Sequence, residues 1–199
     1  MHTPTSKSSY KESLFNTIKT HTKLSIDEIN EMVESIPVTL FNKGDVLLNQ
    51  GDRPKLSYYV IEGCVRQFSW DEAGKETTLE FFTESQSINM FSFVDEEGNS
   101  WYSLECLEDC ALVTCADYDT EEESVDLLNM KYSIFTQQFT HMQSSFMNYK
   151  ASKPIERYNH LVKTRPELLD RVPQNILANF IGITPESFSR FKKREQAAK

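Results

Sequence analysis

The sequence has no apolar run approaching the length of a membrane span and no signal-peptide pattern at its start, so a cytoplasmic protein without a membrane partner is expected. It shows no internal repeat and no low-complexity tract. Nothing in it groups as a Ser-His-Asp set, a phosphate loop or a metal triad, and the carboxylates scattered over turns are of the kind that are simply solvated, so an enzyme is not expected. The four histidines, His2, His21, His141 and His160, are scattered and form no haem or metal motif. Cysteine is confined to Cys64, Cys106, Cys110 and Cys115, whose spacing matches no common zinc pattern. Free buried thiols are the expected reading, with a redox or iron–sulfur role as the sharper alternative. No metal and no cofactor is expected.

Positive charge is the minority, 21 Lys and Arg against 30 Asp and Glu, and it is unevenly spread. Lys150 to Lys199 carries eleven basic residues against five acidic ones, a balance of +6, whereas Met1 to Tyr149 carries ten against twenty-five, a balance of −15. A basic C-terminal segment on an acidic body implies that only the former meets a polyanion.

What is present suffices for a packed core: 39% of the 199 residues are hydrophobic and 12% aromatic, enough for one or two small domains. Tyr10 to Thr20 predicts a short helix with Leu14, Phe15 and Ile18 on one face. Ser25, with Glu28 three residues on, predicts a capping box and a second helix that Pro37 ends. From Val38 to Tyr118, short runs of Val, Phe, Tyr, Leu and Thr are cut by glycine turns at Gly44, Gly51, Gly63, Gly74 and Gly98, which predicts a β sandwich or jelly roll. Its expected strands are Val38–Phe41, Val46–Asn49, Leu56–Ile61, Val65–Trp70, Thr77–Phe82, Ser87–Phe93, Trp101–Cys106 and Ala111–Ala116. An acidic stretch, Thr120 to Ser124, then opens a long helix. On it Tyr132, Phe135, Phe139, Met142, Phe146 and Tyr149 recur at steps of 3, 4, 3, 4 and 3. That is an a/d stripe over about three heptads, expected to be a dimer seam rather than the contact of one helix with its own β domain. His141, on the same helix, is expected to be solvated.

Ser152 to Pro154 marks a hinge into a helix over Ile155 to Thr164, and Pro166 to Pro173 leads on to Asn175–Lys193. There Ile176, Leu177 and Phe180 define a short amphipathic helix that Gly182 stops, and small Ala178 permits close approach of another helix. Thr184 caps a second helix with Pro185 at its first position and Glu186 in its first turn. Phe188 and Phe191 turn inward, leaving Glu186, Ser187, Ser189, Arg190, Lys192 and Lys193 outward, the pattern of a helix-turn-helix whose second helix enters the major groove. An ordinary helical hairpin is the plainer alternative.

With these parts in this order, residues 10 to 194 resemble the Crp/Fnr family of bacterial transcription regulators. The resemblance is carried by Phe41 to Asp52 with Tyr58 to Gly63, similar to the opening of a cyclic-nucleotide-binding jelly roll, and by Gly182 to Arg190, similar to the family's turn and recognition helix. Arg171 to Gln174 is similar to the link of a shorter subgroup. The resemblance implies an α+β architecture in three parts. These are N-terminal helices with an effector-type jelly roll (1–119), a dimerisation helix (120–151) and an all-α helix-turn-helix domain (152–199). It implies a homodimer on palindromic double-stranded DNA, with RNA polymerase as a further partner and an unnamed small effector.

By position, Glu186 and Arg190 match the family's base-reading acid and arginine, and Ser187 and Ser189 match small polar positions near the backbone. Lys192, Lys193 and Arg194 are expected on phosphates, with Thr184 at the helix start. Pro185 stands where many members carry a further arginine, and the chain is too short for the β-hairpin wing with which many end. The oxygen-sensing members' N-terminal cysteine cluster has no counterpart in the first 63 residues. Asn89 and Met90 stand where the cyclic-AMP cassette has a ribose-holding Gly-Glu pair, and Ser100 and Trp101 where it has a phosphate-pairing Arg-Ser pair. A buried phosphate without a cation is costly, so cyclic AMP is not expected to bind. Met90, Phe91, Phe93, Trp101 and Tyr102, beside Ser100, are expected to make that pocket apolar, as a filled core or for an apolar effector. The competing function is a ligand-binding or protein-interaction module with weak or lost DNA binding.

Overall fold

The computed structural model describes residues 7–88, 94–115 and 125–197. Among the described residues two helices, α1 (Lys7–His21) and α2 (Ile26–Ser35), lead into eight strands. These are β1 (Val38–Phe41), β2 (Val46–Leu48), β3 (Ser57–Glu62), β4 (Val65–Trp70), β5 (Glu76–Phe82), β6 (Ser87–Ile88), β7 (Ser103–Cys106) and β8 (Cys110–Cys115). Five helices follow: α3 (Val125–Ala151), α4 (Pro154–Thr164), α5 (Leu168–Arg171), α6 (Gln174–Phe180) and α7 (Pro185–Ala197). Among the described residues, no helix is both long and apolar enough to cross a membrane.

The strands form two antiparallel four-stranded sheets, ordered β1-β8-β3-β6 and β2-β7-β4-β5. Each strand turns one face inward, and the two inner faces meet over Leu48, Tyr58, Val60, Val65, Ile88, Tyr102, Leu104, Cys106 and Leu112. This is a β jelly roll. The capping box of α2 forms as its sequence predicts: the Glu28 N–H donates to Ser25 Oγ, and the Glu28 carboxylate accepts from the Ser25 N–H at 2.8 Å. Ile29 and Val33 of α2, with Leu14 and Ile18 of α1, cover Ile61, Ala111 and Val113 on the outer face of the first sheet.

Boundaries differ from expectation where side chains compete with the ladder. The seventh strand begins at Ser103, because the Ser100 hydroxyl donates to the Tyr102 carbonyl at 2.8 Å and accepts from the Tyr102 N–H, holding a turn there. The segment Pro166 to Pro173, read as a plain link, contains α5, whose Leu168 is fully buried. The far half of the expected Ser87–Phe93 strand and the acidic opening Thr120 to Ser124 lie outside the described residues. Three of the cysteines, Cys64, Cys106 and Cys110, are buried free thiols, but Cys115 is exposed because β8 ends there.

The C-terminal helices share a core with the roll. Tyr158, Leu161, Leu168, Leu177, Ala178, Ile181 and Phe188 pack with Cys64, Phe81 and Leu107. The edge strand β5 is where they meet: Asn179 of α6 accepts from the Thr78 N–H and donates to the Glu76 carbonyl at 2.9 Å, as a neighbouring strand would. Phe180 meets Phe81 edge to face, with centroids 5.0 Å apart.

Candidate functional site

Two regions bear on function, and the pair α6–α7 is the first. At the end of α6 the Ile183 N–H reaches back to the Ala178 carbonyl (2.9 Å) and the Gly182 N–H to that of Asn179 (3.0 Å). These two bonds satisfy the carbonyls of the last turn and require a left-handed residue between them, which Gly182 supplies at φ 70°. Thr184 then caps α7, its hydroxyl accepting from the Ser187 N–H at 3.3 Å. Phe188 is fully buried and Phe191 packs beside it on Tyr158, so the opposite side of α7 faces outward.

On that side Thr184, Glu186, Arg190, Lys193 and Arg194 are exposed, while Ser187, Ser189 and Lys192 are half-buried. Arg190 donates to Ser187 Oγ at 2.9 Å, which holds the guanidinium near the helix start. Glu186 is held below the usual carboxylate range, first by its own backbone N–H, then by Thr184 and by the nearby Arg190 charge. It is therefore an ionised acceptor beside a fixed fork of donors.

The second region is the roll interior. Tyr102 fills it, only 2% exposed, and burial pushes its phenol up to about 12. Ser100 is equally buried and fully engaged, its N–H donating to the Asp52 carbonyl and its carbonyl accepting from the Gly51 N–H. Trp101 departs from expectation: it is 62% exposed and does not line the pocket, because its two neighbours take the inward positions. Met90, Phe91 and Phe93 lie outside the described residues. Arg66, a buried cation of the roll, is consumed by Glu76, Glu105 and Thr78.

Residues 38–117 match the cyclic nucleotide-binding domain family. This segment is a cyclic nucleotide-binding domain. No curated protein matches the chain. In fold, the chain is similar to the c-di-GMP-responsive global regulator CLP of Xanthomonas campestris, at 18% identity over 87% of this chain and 93% of that one, with TM-score 0.65. It is similar to FixK2 of Bradyrhizobium japonicum, at 12% identity over 82% and 85%, with TM-score 0.66. A transcriptional regulator of the CRP/FNR family from Thermus thermophilus is 19% identical over 81% and 87%, with TM-score 0.60. At these identities the likeness is one of fold, a cyclic nucleotide-binding domain followed by C-terminal helices.

In this cyclic nucleotide-binding domain, cyclic AMP is expected to give no measurable heat on calorimetric titration. Ser100 offers no charge to a cyclic phosphate, and Tyr102 occupies the interior. Micromolar affinity would show that another cation serves the phosphate.

The domain is tied to the helices that follow it by two arginines that sequence reasoning missed, since their partners lie 63 to 87 residues away. Arg165 donates to Glu80 at 3.1 Å, to the Phe81 carbonyl and to Thr83. Arg171 forks onto Glu84 at 2.8 and 2.9 Å and also reaches Glu108. Burial alone would raise the Glu84 carboxyl, yet hydrogen bonds from Arg171 and backbone N–H groups, including that of Gly63, lower it on balance. A depressed folded-state value stabilises fully above the ordinary carboxylate value of 4.5 and is lost as pH falls through the lowered value. Glu84→Gln should therefore destabilise the protein at neutral pH, and its deficit against wild type should shrink steadily as denaturation is repeated at acidic pH. A deficit independent of pH would remove the ionic contribution of this contact.

Proposed function

We propose that the protein is a homodimeric transcription regulator that reads a palindromic operator with α7. In this reading residues 1–119 form the effector-type part, 120–151 the dimerisation part and 152–199 the DNA-binding part. The observation that carries it is the outward side of α7, where Glu186 and Arg190 stand one turn apart at the helix start, exposed, over a fully buried Phe188. The N-terminal end of such a helix enters the major groove. Arg190 pairs bidentately with guanine O6 and N7, and Glu186 accepts from cytosine N4 in the same half-site. Lys192, Lys193 and Arg194 meet phosphates, which position the helix without reading sequence. The local excess of basic residues supports the same side as the polyanion face.

The test is a selection from random duplexes with wild type and two variants. Arg190→Ala is expected to cost about 1–3 kcal/mol and to relax choice at one base pair. Lys193→Ala is expected to weaken all sequences alike and to reduce the salt slope by roughly one. If wild type enriches no palindrome, or Arg190→Ala enriches the same motif as strongly, the protein is instead a ligand-binding or interaction module.

A further inference from the structure

A cleft of ≈ 80 Å³ opens where four elements converge. It is lined by Glu80 of β5, Ser145 and Tyr149 of α3, Arg157 and Leu161 of α4, and Phe180 of α6. Most of its wall is apolar, and its charges do not cancel. Glu80 is committed to Arg165, which lies 3.1 Å away. Arg157 stacks its guanidinium on the Tyr149 ring, 4.3 Å from the centroid, and its Nε is buried with no hydrogen-bond partner. A buried guanidinium N–H without an acceptor is costly, and a carboxylate bound in the cleft that Arg157 lines would pair with the charge the group carries.

We propose that this cleft is a binding site for a small organic monoanion, a short-chain carboxylate whose head meets Arg157 and whose tail lies on Leu161 and Phe180. The size argues for a short tail, because a cavity of about 150 Å³ holds a benzene ring. One unpaired cation argues for a single negative charge. The walls give the site its consequence: they belong to the long helix, the helix after the hinge, the roll edge and the helix before the turn. A ligand there favours whichever relative arrangement of those elements closes the cleft. Its role as an effector rests on the DNA-reading proposal, but its binding does not.

Sodium butyrate is titrated by calorimetry into the full-length protein without DNA, at constant ionic strength, with butyramide as the neutral counterpart and inorganic phosphate as the anion without a tail. Butyrate is expected to bind at least tenfold more tightly than either. Arg157→Gln is expected to lower butyrate affinity at least tenfold, and Arg157→Lys to retain part of it. Ser145→Leu, a helix-compatible change at the cleft wall, is expected to abolish binding while leaving the circular dichroism spectrum unchanged, and it decides the matter if Arg157→Gln unfolds. Equal binding of butyramide would show a purely apolar site, and equal binding of phosphate an adventitious ion only. Undiminished binding by a folded Arg157→Gln or Ser145→Leu would place butyrate elsewhere. Any of these overturns the proposal, and none bears on whether α7 reads DNA.

Discussion

Replacing Phe139 and Phe146 together with glutamate is expected to give a monomer in sedimentation, with the roll still folded. The 27-residue α3 leaves Tyr132, Phe135, Phe139, Met142, Phe146 and Tyr149 between 38% and 72% exposed along one stripe. Phe135 and Phe139 stack on each other, with centroids 6.2 Å apart. An exposed apolar stripe of this extent is of the kind found at interfaces, and its a/d spacing fits a second copy of the same helix. An aromatic anchor in such a seam contributes about 2 kcal/mol or more, and a symmetric dimer would hold two copies of each residue, four anchors in all. Even with strong non-additivity, the dissociation constant should rise by about a thousandfold or more. The glutamates would also face one another across the two-fold axis. If α7 reads DNA as proposed, binding to a palindrome should fall with it, since two linked readers gain roughly 10²–10⁴ over one. A dimer that persists with an intact roll would remove the seam and return α3 to the role of a helix covering its own domain.

The second large effect belongs to Gly63. Its φ is +111°, and a β-carbon built there would lie 2.5 Å from Cys110 Sγ, 2.8 Å from Cys110 Cα and 2.9 Å from the Asp109 carbonyl oxygen. The side chain could rotate, but the backbone atoms cannot yield without moving β8. Gly63→Ala therefore combines backbone strain of about 1–3 kcal/mol with overpacking of a similar size. A loss of about 2–6 kcal/mol is a large share of a domain's stability. The Gly63 N–H also donates to Glu84 at 3.0 Å, so the same displacement loosens the Arg171 contact. Gly44 is the control: its φ is +88°, but a β-carbon there meets nothing within 4 Å. Urea denaturation of both alanine variants separates conformational strain from steric conflict. Equal losses would show that the close approach at Cys110 costs nothing.

Much of this architecture was legible because glycine, proline and capping residues mark boundaries by local chemistry. Ser25 with Glu28, Gly182 with Thr184, and the glycine turns between strands each act within a few residues, and the structure places helix ends and turns at them. Strand faces were less secure. Trp101 is expected in the pocket from its place opposite the family's phosphate-pairing residues, but the Ser100 hydroxyl, bonded to the backbone two residues on, holds a turn that leaves Trp101 exposed. Contacts between distant segments were not legible at all. Nothing in Arg157, Arg165 or Asn179 as residue types tells that one lines a cleft, one meets Glu80 and one completes a sheet edge. Those roles depend on how two separately patterned regions dock.

That docking limits how the protein can be recombined. Asn179 and Phe180 seat the C-terminal helices directly on β5, so the two halves are not interchangeable cassettes. A chimera that grafts residues 152–199 onto another roll keeps this seating only if the recipient strand offers the same pair of backbone groups and an aromatic at the place of Phe81. Otherwise the graft leaves the Asn179 side-chain amide without its two backbone partners, and Phe180 without its ring. A substitution at β5 that displaces these backbone groups should therefore need a compensating change at α6.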